Sequence, residues 1–243
     1  MSDTIEKLRD DENYYGAFGK QFLSNSDIGT LLSNPREFGL SRPDNANFAK
    51  GRYFHQLILE PEKALETEFV DVSSRTTKAY KEFIKERDIT FALLSKEGEE
   101  LRDSVKVMMG NLDMYELIAN SDNDYEVPAV KEIKGMTWKG KADIVHPDML
   151  IDLKTTGNIK DFKWSARKYN YDSQCYIYQE LFGKPLIFLV IDKTSGMLGK
   201  YVPSDDFVKR GEEKVEAAIE VYQKFFAENS TEDINTYYIH EIL

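Results

Sequence analysis

One cysteine, Cys175, stands in a chain of 243 residues. An internal disulfide framework is thereby excluded, and so is an iron–sulfur cluster held by four cysteines of one chain. A reducing cytoplasm is the compartment this cysteine usage fits. Long apolar runs are missing as well, so the sequence predicts no membrane-spanning segment. The opening stretch MSDTIEKLRDDENYY is charged and polar and does not read as a signal peptide. Positive charge is in deficit: 32 Lys and Arg face 43 Asp and Glu, for a net charge of −11. That balance argues against a passive DNA-coating protein, which needs a basic surface. Internal repeats, low-complexity tracts and Pro/Gly/Ser-rich linkers are absent too.

What is present is an ordinary amount of core. Hydrophobic residues make up 41% of the chain, with 14 Tyr and 14 Phe among them. Disorder is therefore not the expectation. The length suits one domain over residues 1–243, in three stretches: a mainly helical part over 1–120, an α/β core over 121–229 and a tail over 230–243. The charge is unevenly spread. Between Lys131 and Lys168 nine basic residues face five acids, so this stretch is +4 and the rest of the chain −15. An acidic body with one basic region holding a few isolated carboxylates suits a metal-using phosphodiesterase; a solvated mixed-charge surface is the plainer alternative.

Residues 1–20 read as a loosely structured arm. Ser26 is the expected N-cap of a helix bearing Ile28, Leu31 and Leu32, stopped near Pro35. Helices are expected over 46–60, 75–88 and 96–118, with Gly110 a weak point in the last. After Ser121 the period changes to that of strands: 125–134, 136–146 and 149–155, linked by short turns at Gly135 and at His146-Pro147-Asp148. Helix follows over 160–182, in one or two pieces. LIFLVIDK (186–193) has the unbroken apolar character of a strand buried on both faces. A strand over 197–203 and a helix over 204–228, capped by Ser204, complete the order. The expected core is β-β-β-α-β with a mixed sheet flanked by helices, an α/β (α+β) class with an N-terminal helical elaboration.

The informative segment is Gly140-Lys141-Ala142-Asp143 followed by Ile151-Asp152-Leu153-Lys154-Thr155-Thr156. Residues two apart on a strand share a face, so Asp152 and Lys154 point one way while Ile151 and Leu153 point into the core. A short turn brings Asp143 beside Asp152. Two carboxylates and an ammonium on one patch are what metal-assisted phosphodiester hydrolysis requires. Taken alone, a D-x-K strand is an exposed surface salt bridge, and only its context lifts it above that.

The pattern G-K-A-D, a hairpin, then I-D-L-K-T-T resembles the core of PD-(D/E)xK nucleases, and in particular their RecB-like and RecE-like, phage-type exonuclease branch. Gly51-Arg52-Tyr53-Phe54-His55 with Leu57, Leu59, Glu60 and Pro61 resembles the helix that carries that branch's metal-binding histidine. Leu23–Ser26 with Asn34–Phe38 resembles its opening segment, and Gln174 with Tyr178 its Q-x-x-x-Y helix. The resemblance spans roughly residues 22–226. It implies a restriction-endonuclease-like fold, with Asp143, Asp152, the Leu153 carbonyl and His55 binding Mg²⁺ or Mn²⁺, and Lys154 as the catalytic lysine. It also implies that Gln174 and Tyr178 position Lys154 or the phosphate, and that Glu132 completes the site through a water. Glu126 shares the strand and parity of Glu132. Outside the resemblance, His55 reads as a hydrogen-bonded core histidine, Gln174 as a surface amide and Tyr178 as core.

Cys175 stands alone, so the cluster-bearing members of the branch are excluded, and no G-x-x-x-x-G-K-[ST] stretch provides for ATP. Arg52, Lys131, Lys139, Lys141, Lys160, Lys163 and Arg167 are candidate phosphate contacts, and Trp164 and Tyr169 candidate stacking residues. The resemblance implies linear duplex DNA as substrate, in recombination or repair in a bacterial or phage-infected cell. A strand-annealing partner and a homo-oligomeric ring around DNA are further implied possibilities. A structure-specific endonuclease, a non-catalytic DNA-binding or assembly protein on the same fold, and an unrelated α/β protein with an incidental D-L-K strand remain the alternatives.

Overall fold

The computed structural model describes residues 2–40, 43–230 and 232–239. The N-terminal part is built of helices α1 (Ser2–Lys7), α2 (Asp11–Tyr15), α3 (Asn25–Ser33), α4 (Ala46–Leu59), α5 (Pro61–Leu65), α6 (Lys78–Glu86), α7 (Ser95–Gly110) and α8 (Leu112–Ile118). Short strands β1 (Phe69–Val70) and β2 (Leu93–Leu94) pair in parallel among them. The core follows as β3 (Asp124–Ile133), β4 (Met136–Val145), β5 (Leu150–Thr156), α9 (Phe162–Lys168), α10 (Tyr171–Phe182), β6 (Leu186–Asp192), β7 (Leu198–Tyr201) and α11 (Asp205–Phe225).

The five core strands form one sheet in the order β3-β4-β5-β6-β7. β3, β4 and β5 make an antiparallel meander, β6 runs parallel to β5 after the α9–α10 crossover, and β7 returns antiparallel. All seven residues of β6 are buried, as an apolar strand covered on both faces requires. Ile144, Ile151, Leu153, Ile187, Leu189 and Ile191 pack with residues of α4, α7 and α8. Leu150, Phe188 and Val190 pack instead with Phe162 and Ala166 of α9 and Cys175 of α10. Alternation along β5 thus sends Ile151 and Leu153 toward one helical layer and leaves Asp152 and Lys154 on the α10 side.

Some local expectations are corrected. The arm over 1–20 is not loose: Asp10 caps α2, its side chain accepting from the Glu12 and Asn13 amides. The cap of α3 is Ser24 rather than Ser26, in a capping box with Asp27. The long helix over 96–118 breaks at Asn111, which caps α8 by accepting from the Met114 amide. Gly110 marks the break, because a new cap competes with continuing the helix there. The β1–β2 pair was not anticipated, since two-residue strands carry no period. Of the tail over 230–243, residues 231 and 240–243 lie outside the described residues; Arg36 donates to the carbonyls of Asn235 and Tyr237 in the remainder.

Helices α10 and α11 meet at close range. Asp172 is fully buried, held by Lys214 at 2.9 Å and Arg210 at 3.6 Å. A buried carboxylate is tolerated only with such partners. At Gly211 a Cβ would lie 2.0 Å from the backbone oxygen of Asp172. Gly211→Ala is therefore expected to destabilise the fold by about 1–3 kcal/mol through overpacking against backbone that cannot rotate away. Its urea midpoint would be measured beside wild type; an unchanged midpoint would mean the two helices do not approach this closely.

Candidate metal centre

The site begins where the β4–β5 ladder ends. Pairing between these strands is confined to Ile144–Ile151 and Val145–Leu150. Beyond it, Asp143 takes over a ladder position: its Oδ2 accepts from the Leu153 amide at 2.8 Å. A side chain inserted where a backbone carbonyl would sit satisfies the buried amide and holds the strands apart. The carboxylate is fixed in the opening, and Leu153 is anchored with it.

Across the other edge of β4, the β3–β4 register places Tyr125 opposite Ile144 and Val127 opposite Ala142, which sets Glu126 across from Asp143. Glu126 has φ of +50°, a left-handed conformation costly for a side-chain-bearing residue. From α4, His55 reaches over. Its Nε2 lies 2.8 Å from the Leu153 carbonyl oxygen and its Nδ1 3.5 Å from Asp143 Oδ1. His55, Glu126 and Asp143 thus bring three ligand atoms within 4.8 Å of one another.

On the neighbouring strand, Lys154 Nζ lies 2.5 Å from Asp152 Oδ2, with the two side chains 17% and 3% exposed. Gln174 of α10 donates its amide to Asp152 Oδ1 at 2.5 Å. Asp152 Oδ2 is buried and, apart from the ion contact with Lys154, has no aligned hydrogen-bond donor. Lys154 also lies over the Tyr171 ring, 4.9 Å from its centroid. The Tyr178 hydroxyl donates to the Lys141 carbonyl at 3.1 Å and braces β4 against α10. Gly140 explains the tight fit: a Cβ there would come 2.8 Å from the Tyr178 ring.

The electrostatics follow from this crowding. Burial opposes charge on His55, but the Asp143 carboxylate outweighs it and lifts the imidazole to about 9. Burial, reinforced by the Asp143 charge, pushes the Glu126 carboxyl well above the usual range. Asp143 resists its own burial through His55 and stays low. Burial raises Asp152 despite Lys154. Lys154, desolvated but facing Asp152, is held firmly as the cation. Two carboxylates are pushed up and one is pushed down within one cluster, a perturbation that like charges crowded together by burial produce. The cluster's donors are oxygens and an imidazole nitrogen, a set that suits a hard or borderline divalent ion, and the free lone pair on Asp152 Oδ2 adds to it.

Of the residues singled out from sequence, His55, Asp143, Asp152, Leu153, Lys154 and Gln174 come together here. Glu132 does not. It lies exposed near the β3–β4 turn, opposite Thr137, and Glu126 takes the place expected of it. Counting outward from Ile133–Met136 at the turn selects Glu126, so the signal was in the sequence. Tyr178 reaches the backbone of β4 rather than a side chain of the site. Tyr171 was not anticipated. Among the candidate phosphate contacts, Lys141 is turned away from solvent: its side chain is 7% exposed, pairs with Asp11 at 2.5 Å and lies over the Tyr14 ring. Lys139 is buried, donating to the Tyr14 carbonyl. Arg52 pairs with Asp44 and Lys131 with Glu180. Lys160, Lys163, Trp164 and Arg167 remain exposed.

A mixed sheet opened at the β4–β5 edge, with D-x-K on the second strand and a helix behind it, defines a protein of the PD-(D/E)xK nuclease superfamily. The chain belongs to the PDDEXK-like domain of unknown function family (DUF3799), whose model matches residues 37–233. No curated protein sequence matches it. Among solved structures it is similar in fold to an Eubacterium rectale protein named "Putative exonuclease", with 18% identity, a TM-score of 0.65 and coverage of 88% of this chain and 85% of that one. A phage related exonuclease from Haemophilus somnus 129PT also matches, with 15% identity, a TM-score of 0.33 and coverage of 66% of this chain and 92% of that one. Among the described residues, no helix is long and apolar enough to cross a membrane.

Proposed function

We propose that the chain is a divalent-metal-dependent deoxyribonuclease that degrades linear duplex DNA from its ends. The observation that carries this reading is the convergence of His55, Glu126 and Asp143 within 4.8 Å beside the buried Asp152–Lys154 pair. Asp143, Asp152, Glu126 and His55 would hold Mg²⁺ or Mn²⁺, with the Leu153 carbonyl as a further oxygen. When bound, the ion supplies a water of lowered pKa and a counter-charge for the phosphoryl oxygens. Lys154, fixed as the cation, would face the charge that grows on the phosphate and help orient the attacking water. Gln174 holds Asp152 in one orientation through its amide. Tyr178 keeps β4 seated on α10 and so fixes Asp143. End resection of this kind yields a single-stranded tail, the substrate of a strand-annealing protein in recombination or repair.

End-labelled linear duplex, closed circular duplex and single-stranded DNA would be incubated with the full chain in Mg²⁺, in Mn²⁺ and in EDTA. Loss of linear DNA in metal, with circles spared and no loss in EDTA, is the expected result. Cutting of circles would move the assignment to an endonuclease. Intact DNA under every condition would refute the enzymatic reading.

A further inference from the structure

Most of the basic region found in the sequence is internally neutralised once folded. Lys131, Lys134, Lys141 and Lys154 are all in ion pairs, and Lys139 is bonded to a carbonyl. The exception is the segment that follows the D-x-K strand. Among the described residues, Lys160, Lys163, Arg167 and Lys168 make no ion pair, and all four are exposed. The one acid among them, Asp161, is engaged by the Asn158 amide at 2.7 Å.

Two large aromatic side chains are interleaved with these cations and are not buried. Trp164 is 69% exposed and Tyr169 57% exposed. Helix α9 buries Phe162 and Ala166, which sends Lys163, Trp164, Arg167 and Lys168 to its outer face. Arg167 lies over the Trp164 ring at 5.5 Å and Lys168 over the Tyr169 ring at 5.7 Å. The ridge is anchored from below: Lys214 of α11 donates to the Arg167 carbonyl at 3.1 Å and to Asn170 Oδ1 at 2.8 Å. It is also continuous with the metal centre. Tyr169 stands 6.2 Å from Tyr171, and Tyr171 is the ring beneath Lys154.

Exposed aromatic faces bracketed by unpaired cations complement one kind of occupant well: unpaired bases on a phosphate backbone. A paired duplex shields its base faces within the stack and would use only the charges. We propose that the outer face of α9 together with Tyr169 is a stacking platform for the unpaired end of a DNA strand, leading it across Tyr171 to Lys154. This rests on the nuclease reading for the identity of the polymer, and it adds that the strand is held with bases exposed.

The test uses the natural distribution of tryptophan. The chain has two, and Trp138 is fully buried while Trp164 is exposed. Tryptophan emission would be followed in EDTA as a single-stranded oligonucleotide, a blunt duplex of the same length and inorganic polyphosphate are added to the full chain. The single strand should quench the Trp164 emission at a concentration roughly tenfold below the blunt duplex, and polyphosphate should bind without quenching. Affinity for the single strand, read by anisotropy of a labelled oligonucleotide, should fall roughly tenfold in Trp164→Ala and be largely kept in Trp164→Phe, which retains a π face. Equal quenching by polyphosphate, or unchanged affinity in Trp164→Ala, would overturn the platform. That failure is separate from failure of the nuclease reading, which the cleavage assay with Lys154→Ala decides without reference to Trp164.

Discussion

Lys154→Ala is expected to lower DNA turnover by on the order of 10²–10³-fold while leaving DNA affinity in EDTA unchanged. The side chain is buried against Asp152 and held as the cation, so its charge is already in place before substrate arrives. Preorganised charge of this kind acts on the transition state more than on the bound substrate. Truncation also strands Asp152, whose Oδ2 has no other partner, so a loss of stability is expected alongside. Lys154→Arg separates the two effects. It restores a cation next to Asp152, but a planar guanidinium cannot occupy the position of a compact ammonium. Its melting temperature should return toward wild type while turnover stays low. Recovery of both by arginine would mean that Lys154 only balances a buried charge.

Metal-stripped protein is expected to gain about 5–10 °C in melting temperature when Mn²⁺ or Mg²⁺ is added at about 100 times its Kd. Such an excess stabilises by about 2.7 kcal/mol, and each kcal/mol moves a chain of this size by about 2–4 °C. The gain should grow with pH. His55 is lifted from 6.5 to about 9 and Glu126 is raised from 4.5, so the folded state binds more protons than the unfolded one across this range. Each group then stabilises the metal-free fold below its ordinary pKa, and that contribution is lost as pH rises through the folded value. For His55 the window runs from 6.5 to about 9. Both groups must give up their protons to act as ligands, so the same rise in pH strengthens metal binding. The melting temperature in EDTA should therefore fall from pH 6 to pH 8 while the metal-induced gain increases. Asp143→Asn should remove most of the gain and flatten the His55 contribution, because Asp143 is what raises that imidazole. A metal-induced shift that survives in Asp143→Asn, or that shrinks as pH rises, would place the ion elsewhere.

Both predictions turn on residues that differ in how visible they are in the sequence. Asp152 and Lys154 are legible because alternation along one short strand fixes their shared face, and the apolar Ile151 and Leu153 between them identify the other face. Asp143 is legible for the same reason one strand earlier. Gln174 was visible only through the resemblance to the Q-x-x-x-Y helix, since by itself it reads as a surface amide. His55 was visible only through its resemblance to the histidine-bearing helix, since a histidine amid apolar neighbours reads as core.

Glu126 and Glu132 show where local pattern stops. Both lie on β3 with equal parity, and only the position of the turn decides which of them stands across from Asp143. The charge pattern has a similar limit. Nine basic residues between Lys131 and Lys168 read as one patch along the chain, yet ion pairs made on folding consume several of them. Asp11, Glu180, Glu212 and Glu216 come from elements distant in sequence, so no local count anticipates them. Among the described residues, the basic members of the Lys131–Lys168 stretch left without an ion pair are Lys160, Lys163, Arg167 and Lys168, on α9 and its flanks, while Lys139 is bonded to a carbonyl.

The sequence by itself determined the order of the core elements from β3 to α11, the mixed sheet with its buried β6, and the D-x-K strand with Asp143 ahead of it. These are set by periodicity and turn chemistry, which act over a few residues. Tertiary structure alone decided that Asp143 replaces a backbone carbonyl in the β4–β5 ladder, that His55 closes on it from α4, and that Lys141 faces the N-terminal arm while α9 stays open. Those outcomes depend on contacts between residues far apart in the chain, where burial and charge pairing act in three dimensions.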